Sequence, residues 1–426
     1  MTSATHSAIE AVWRIESAKI VASLARMTRD VGLAEELAQE ALVAALEKWP
    51  GSGVPDKPGA WLMAAAKNRA LDHFRHSRMV ETKHEEIGRG AEEGFVPDLD
   101  AALEDDIGDD LLRLIFTACH TVLSTEARAA LTLRLLCGLT TEEIARAFLV
   151  PEPTIAQRIV RAKRTLAEAR VPFEVPRGED LAARLSSVLE VIYLVFNEGY
   201  SATAGEDWTR PALCEDALRL GRILAGLAPQ EPEVHGLLAL MEIQASRLRA
   251  RTAPSGEPII LMDQDRARWD HLLVQRGLAA LERAEQLNRE AGGALGPYAL
   301  QAAIAACHAR ARTHAQTDWK RIVALYDALA QLAPSPVVEL NRAVAVAMAY
   351  GPEQGLALVD AIAAEPALRS YHLLPSVRAD FLVKLGRLDE ARGEFERAAS
   401  LTRNTREIRL LLDRAAALHP GLRVVK

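Results

Sequence analysis

Thr154, Gln157, Arg158 and Arg161 fall on one side of a predicted helix whose other side is Ile155, Ile159, Ala162 and Leu166, spaced four, three and four. Hydroxyl, amide and guanidinium groups near a helix start can hydrogen-bond base edges in a DNA major groove, and Lys163 and Arg164 further along suit phosphates. This is recognition chemistry rather than catalysis. The helix belongs to LTTEEIARAFLVPEPTIAQRIVRAKRTLA, residues 139–167. There Thr140 and Glu143 make a T-x-x-E capping box for a preceding helix with Ile144, Ala145 and Phe148 on its buried face, and Pro153 suits the start of the second helix. An amphipathic hairpin with a solvated basic face would share the charge, but not the agreement of cap, turn and two stripes. Many helix-turn-helix turns carry Gly or Asn; Leu149 and Val150 before Pro151 predict a differently shaped one.

Two upstream segments carry further binding chemistry. In GAWLMAAAKNRALDHFRHSRM, from Gly59, Leu62, Ala66, Ala70 and Phe74 recur every four residues. Arg69, Asp72, His73 and His76 form a polar stripe flanked by Asn68, Arg75 and Arg78, with Trp61 near the helix start. Cations for phosphates and flat or amide groups for bases are what separated single strands require. An aromatic at a helix start is also a core residue in many helices. His73 and His76 lack a third ligand, so no metal is expected, and no cofactor. In DVGLAEELAQEALVAALEKWP, from Asp30, the residues Asp30, Glu35, Glu36, Gln39 and Glu40 lie largely away from Leu33 and Leu37, as an acidic patch or a merely solvated face.

The elements that position these groups are predicted to be all α-helical. The chain has 426 residues, 49% hydrophobic and 26% charged, with only 5% aromatics, and is too long for one core. Residues 9–48 read as two helices and 58–79 as a third, separated by the proline- and glycine-rich stretch 49–59. Residues 80–110 carry twelve acidic residues against Lys83 and Arg89, a net of -10, so the rest of a chain of net charge -7 sums to +3. That reads as an acidic linker. Residues 111–170, at +4, are the basic module, and VPFEVPRGED at 171–180 is a second joint. Cys119, Cys137, Cys214 and Cys307 are expected as buried free thiols in a reducing compartment, with no signal peptide or membrane span; a cytoplasmic protein is expected.

LSTEARAALTLRLLCGLTTEEIA, from Leu123, resembles the fourth region of bacterial sigma factors, the reader of the promoter -35 element. The Asp30 segment resembles the polymerase-binding helix of the second region, and the Gly59 segment the helix that opens and reads the -10 element. With only these two domains before an extension, the resemblance is to the extracytoplasmic-function branch of the sigma-70 family. It implies a domain at 1–79 for core RNA polymerase and the -10 element, and one at 111–170 for the -35 element. The partners it implies are core polymerase and promoter DNA, and the protein would not be an enzyme. In the family the interdomain linker threads into the polymerase channel, and residues 80–110 fit that role or that of a plain tether. The rival reading is a helix-turn-helix activator with helical repeats that is not itself a sigma factor; residues 30–79 discriminate, since an activator needs no such helices.

Residues 180–426 show a weak repeat. The segment from Pro336 is echoed from Leu374, with Gly351 and Gly386 at equivalent turns 35 residues apart and a third copy near Trp319. A period near 34 is that of tetratricopeptide repeats, and a generic helical domain is the alternative. FNEGYSATAGEDW, from Phe196, and DQDRARWD, from Asp263, concentrate carboxylates and aromatics. Neither has metal-ligand spacing, a phosphate loop or a nucleophile with its base, so caps and ion pairs explain them better than an active site. The extension is expected to regulate the sigma domains in cis, or through a regulatory protein or ligand, with 197–208 and 263–270 as contact candidates.

Overall fold

The computed structural model describes residues 2–85, 107–148, 150–201, 204–205, 208–253 and 257–418. About 78% of the chain is helical; the described residues hold one two-residue strand pair, β1 (Ala204–Gly205) parallel to β2 (Arg403–Asn404), and an isolated antiparallel bridge between Thr252 and Pro258. The all-α expectation holds. The chain divides into two compact units, residues 1–192 and 193–426.

The first unit begins with α1 (Thr2–Thr28), α2 (Val31–Ser52) and α3 (Pro58–Glu85). These pack on one another through Ile20, Leu24, Leu37, Ala41, Leu62 and Ala66, all 4% exposed or less. Asp30 starts α2 by accepting hydrogen bonds from the amides of Gly32 (2.7 Å) and Leu33 (3.2 Å), which would otherwise lack partners. The break expected at 49–59 is shorter. Pro50 lies in the last turn of α2 and is exposed, so the one backbone hydrogen bond it removes faces solvent. The chain leaves the helix at Gly53 (φ 84°), whose amide bonds the Trp49 carbonyl at 2.9 Å. Trp49 is 1% exposed, edge-on to Trp61 at 5.4 Å. Trp49→Ala is expected to cost about 3–5 kcal/mol of stability, read from denaturant unfolding of the full chain.

The linker expected at 80–110 is trimmed at both ends, because α3 runs on to Glu85 and α4 starts at Ile107; the remainder, 86–106, lies outside the described residues. The second half of the unit comprises α4 (Ile107–Ala118), α5 (Thr125–Leu135), α6 (Thr141–Phe148), α7 (Glu152–Glu168) and the first part of α8 (Glu179–Tyr200). That part of α8 is fastened to α4 and α5: Arg184 donates to the Phe116 carbonyl (3.2 Å), Ser187 to the Cys119 carbonyl (2.6 Å), and Arg128 donates to Ser187 and pairs with Glu190 (3.2 Å). The unit boundary therefore falls within α8, not in the 171–180 joint.

The second unit contains the end of α8, then α9 (Pro211–Leu227), α10 (Pro232–Ala245), α11 (His271–Glu290), α12 (Pro297–Arg310), α13 (Trp319–Leu332), α14 (Pro336–Tyr350), α15 (Pro352–Ile362), α16 (Leu373–Lys384), α17 (Leu388–Leu401) and α18 (Thr405–Ala416). Its helices pack mainly on their sequence neighbours, as in a solenoid. Gly351 (φ 117°) turns α14 into α15, and Gly386 (φ 76°) turns α16 into α17. Both occupy a backbone region that favours glycine, so the equivalence read from the 35-residue spacing corresponds to two helix–glycine–helix hairpins. Leu340, Leu356, Val359, Phe381 and Leu382 fuse them into one core.

All four cysteines are free and buried. Burial pushes the Cys119 thiol up to about 11 and Cys214 to about 12, so neither is a nucleophile at neutral pH. No described helix is long and apolar enough to cross a membrane.

Candidate nucleic-acid interface

The capping box forms as the spacing predicts. The Thr140 amide donates to the Glu143 carboxylate (2.8 Å), and the Glu143 amide donates to the Thr140 hydroxyl (3.1 Å). Ile144 and Ala145 are buried and Phe148 half-buried, while Ile155, Ile159, Ala162 and Leu166 are all 6% exposed or less. The entry to α7 differs slightly: Pro151 is the flanking residue, Glu152 the first helical one, and Pro153 follows in the first turn, where its missing amide hydrogen is still not needed. The Val150 amide bonds back to the Ala145 carbonyl at 3.1 Å; Leu149 lies outside the described residues. Packing of α7 against α5 and α6 leaves Thr154, Gln157 and Arg161 exposed and Arg158 half-exposed on one face. Arg164 is exposed and pairs with Glu168 one turn on, at 3.3 Å.

On α3 the apolar row is buried at Leu62, Ala66 and Ala70 and half-buried at Phe74. Asn68, Arg69, Asp72, His73, Arg75 and His76 are exposed. Arg69 pairs with Glu40 of α2 (3.0 Å) and Arg75 with Asp72 (3.2 Å), exposed pairs weak enough for a phosphate to displace. Trp61 is half-buried against Trp49, with the Lys48 ammonium 5.9 Å from its ring, so it is largely a packing residue. The side chain of Arg78 falls outside the described residues.

Two expected site residues are placed differently. Glu35, grouped with the acidic patch, is 5% exposed; its carboxylate accepts from Arg134 of α5 at 2.6 Å and pairs with Lys163 of α7. Lys163, expected on phosphates, retains 20% of its side-chain exposure and places its charge on Glu35. The spacing puts Glu35 on the polar side of α2, but part of that side is interface rather than solvent. Asp30, Glu36 and Glu40 are exposed and Gln39 half-exposed. Two further ion pairs that the sequence does not reveal join helices of the first unit, Arg14–Glu143 (2.5 Å) and Arg26–Asp110 (2.8 Å). Asp110 is 1% exposed, and burial raises its carboxyl pKa although Arg26 and Arg113 oppose the shift. Their separations of 129 and 84 residues explain why no local pattern shows them.

A three-helix module with an exposed polar helix, followed by a capped helix-turn-helix with an exposed basic face, defines a DNA-reading protein of two modules. Residues 16–79 match sigma-70 region 2, and residues 113–166 match sigma-70 region 4. A third match, residues 184–285, is to a family of unknown function, DUF6596. The chain is 31% identical over 146 residues to the ECF RNA polymerase sigma factor SigC of Mycobacterium tuberculosis, covering 34% of this chain and 75% of that one. It belongs to the sigma-70 family of transcription initiation factors and is similar to the extracytoplasmic-function members. It is 28% identical over 171 residues to the probable ECF RNA polymerase sigma factor SigI of the same species, covering 40% of this chain and 58% of that relative. An uncharacterised protein of Rhizobium meliloti is 44% identical over 404 residues, 93% of both chains, so the match spans both units. No solved structure matches. The activator reading fails on residues 16–79, which an activator has no need of.

Proposed function

We propose that this sigma factor docks on core RNA polymerase through Asp30, Glu36, Gln39 and Glu40 of α2, reads the -35 element with Thr154, Gln157, Arg158 and Arg161, and helps open the -10 element. Asn68, Arg69, Asp72, His73, Arg75, His76 and Arg78 of α3 serve that opening, with Trp61 supporting the helix start. The observation that carries this reading is the exposed basic face of α7 on a correctly capped helix-turn-helix, in the same chain as an exposed polar α3. Purified protein added to core polymerase is expected to start transcripts at a cognate promoter; failure to bind core overturns the reading. Glu36→Lys with Glu40→Lys is expected to weaken core binding by about tenfold, mainly through a slower, salt-sensitive on-rate.

The Glu35 contact acts as a clasp. Elements centred near -35 and -10 lie about 25 base pairs apart, roughly 85 Å at about 3.4 Å per pair. A compact unit of this length has a radius of gyration of about 16 Å, hence a width of about 40 Å. The clasped arrangement cannot touch both elements at once, and promoter binding requires Glu35 to release Arg134 and Lys163. The 21 residues between Glu85 and Ile107 can span at most about 70 Å, enough to let the modules separate.

Residues 180–426 form a helical extension of tetratricopeptide-like hairpins that regulates the sigma domains in cis or through a partner. Support comes from α8 (Glu179–Tyr200), whose first part is bonded to α4 and α5 and whose last residues belong to the second unit, so the -35 reader and the extension share one element of the chain. Truncation after Ile192, which keeps the part of α8 bonded to α4 and α5, is expected to change promoter output or core affinity; no change in either would remove the regulatory role.

A further inference from the structure

The second unit encloses a cavity of about 990 Å³, within the range of small-molecule sites. It is walled by α8, α10, α12, α13, α14, Leu261 and the chain around residues 370–373 and 401–407, so eight separate segments converge on it. Ile243, Ile304 and Leu329 make an apolar surface, and Asn341 lies at its exposed side. Tyr326 and Tyr371 also line it, with burial holding Tyr326 up to about 12 and raising Tyr371, so both hydroxyls stay protonated and able to donate.

Among the described residues, the charge at one end of the cavity is unbalanced. Arg247 lines it, donates to the Tyr200 hydroxyl, and lies 5.7 Å from the Tyr200 ring and 5.8 Å from Trp269. Its Nε is buried without a hydrogen-bond partner. Behind it, Arg251 stacks 3.7 Å over Tyr200, and Arg266 lies 5.1 Å from Trp269 while donating to the carbonyls of His308 and Ala311. Among the described residues no carboxylate pairs with Arg247, Arg251 or Arg266. Burial alone would raise the Tyr200 hydroxyl, yet Arg247 and Arg251 bring it below its ordinary value. Burial, and then the same cationic field, push His308 down to about 3, leaving a neutral imidazole that lines the cavity with its Nδ1 buried and unpartnered. The two acids on the wall are already used: Glu198 pairs with Arg210, and Glu407 with His372 at 3.0 Å. Withdrawing guanidinium groups from water without a counter-charge is unfavourable, and an anion bound in the cavity would offset that cost.

We infer that this cavity binds a small organic carboxylate, with Arg247 as its charge contact, His308 and the tyrosine hydroxyls as hydrogen-bonding neighbours, and the Ile243–Ile304–Leu329 surface against its apolar body. One half-buried guanidinium facing the cavity complements a monoanion. A phosphate ester would need a second buried cation in reach, and the other arginine of the wall, Arg403, is exposed to solvent. The inference rests on the second unit alone and stands whether or not that unit regulates transcription.

The test is titration calorimetry of the full chain with 4-phenylbutyrate, indole-3-propionate and decanoate, alongside their primary amides and inorganic phosphate. At least one carboxylate is expected to bind and its amide to bind far more weakly. Arg247→Gln is expected to weaken the carboxylate about 10- to 100-fold, the loss of one charged hydrogen-bonding group. Asn341→Trp, at an exposed position where folding is least at risk, is expected to block the cavity and abolish binding. Absence of binding by all three carboxylates, equal binding of acid and amide, unchanged affinity in both variants, or tighter binding of phosphate would each overturn the inference.

Discussion

Glu35→Ala is expected to loosen the first unit without unfolding either of its modules, and to raise the affinity of the full chain for core polymerase. Glu35 is the one carboxylate shared by Arg134 and Lys163, so its removal breaks both pairs together. Breaking a fully buried pair costs roughly 3–5 kcal/mol; here each cation keeps 20% of its side-chain surface in water, which screens the loss to about 2 kcal/mol. If the clasp holds the modules away from their promoter-bound geometry, removing about 2 kcal/mol from the closed state raises the apparent core affinity by up to about 30-fold. Energy transfer between dyes on α2 and α7 should fall in the variant, and Arg134→Ala with Lys163→Ala should do the same. The opposite result is equally clear: if Glu35→Ala weakens core binding as much as Glu36→Lys does, Glu35 belongs to the docking surface and the clasp is wrong.

What can be read in the sequence divides along the range of the interactions. Thr140 and Glu143 are three residues apart and their cap is local, so it is legible; so are the stripe Ile155, Ile159, Ala162, Leu166 and the paired turns at Gly351 and Gly386. The ends of the linker are not, because acidity reads as disorder, whereas Asp110 is buried by Arg26 and Arg113. Glu35 misleads for the same reason: its partner Arg134 is 99 residues away, and periodicity can say that a position is polar but not what faces it. In the extension, FNEGYSATAGEDW and DQDRARWD stand out for their acids. Asp265 and Asp270 do cap, accepting from the Ala267 and Leu273 amides at 3.0 and 3.1 Å. Tyr200 and Trp269 instead meet through Arg247, which no motif contains. A signal exists, since Arg247 and Arg251 are one helical turn apart with no acid between them.

Arg161→Ala is expected to weaken promoter binding, whereas Lys163→Ala on the same helix is expected to leave it nearly unchanged or improve it. Arg161 is exposed on the face of α7 that points away from α5 and α6, and in the proposed complex it reaches base edges. Its loss should cost about 1–3 kcal/mol at the -35 element, roughly 5- to 150-fold, and relax the preference at one base position, with Arg158→Ala similar. Arg164→Ala should instead weaken all sequences alike and reduce the salt dependence by about one ion. Lys163 stands between these cases. In the clasped form its ammonium is held by Glu35, so any phosphate contact is made only after that pair has been released. Removing it deletes one contact from the bound state and one from the closed state, and the second is the larger because Glu35 is left buried with Arg134 alone. Lys163→Ala should therefore bind promoter DNA nearly as well as the parent chain, or better, in footprinting with polymerase. A loss matching that of Arg164→Ala would mean that the clasp contributes little in solution.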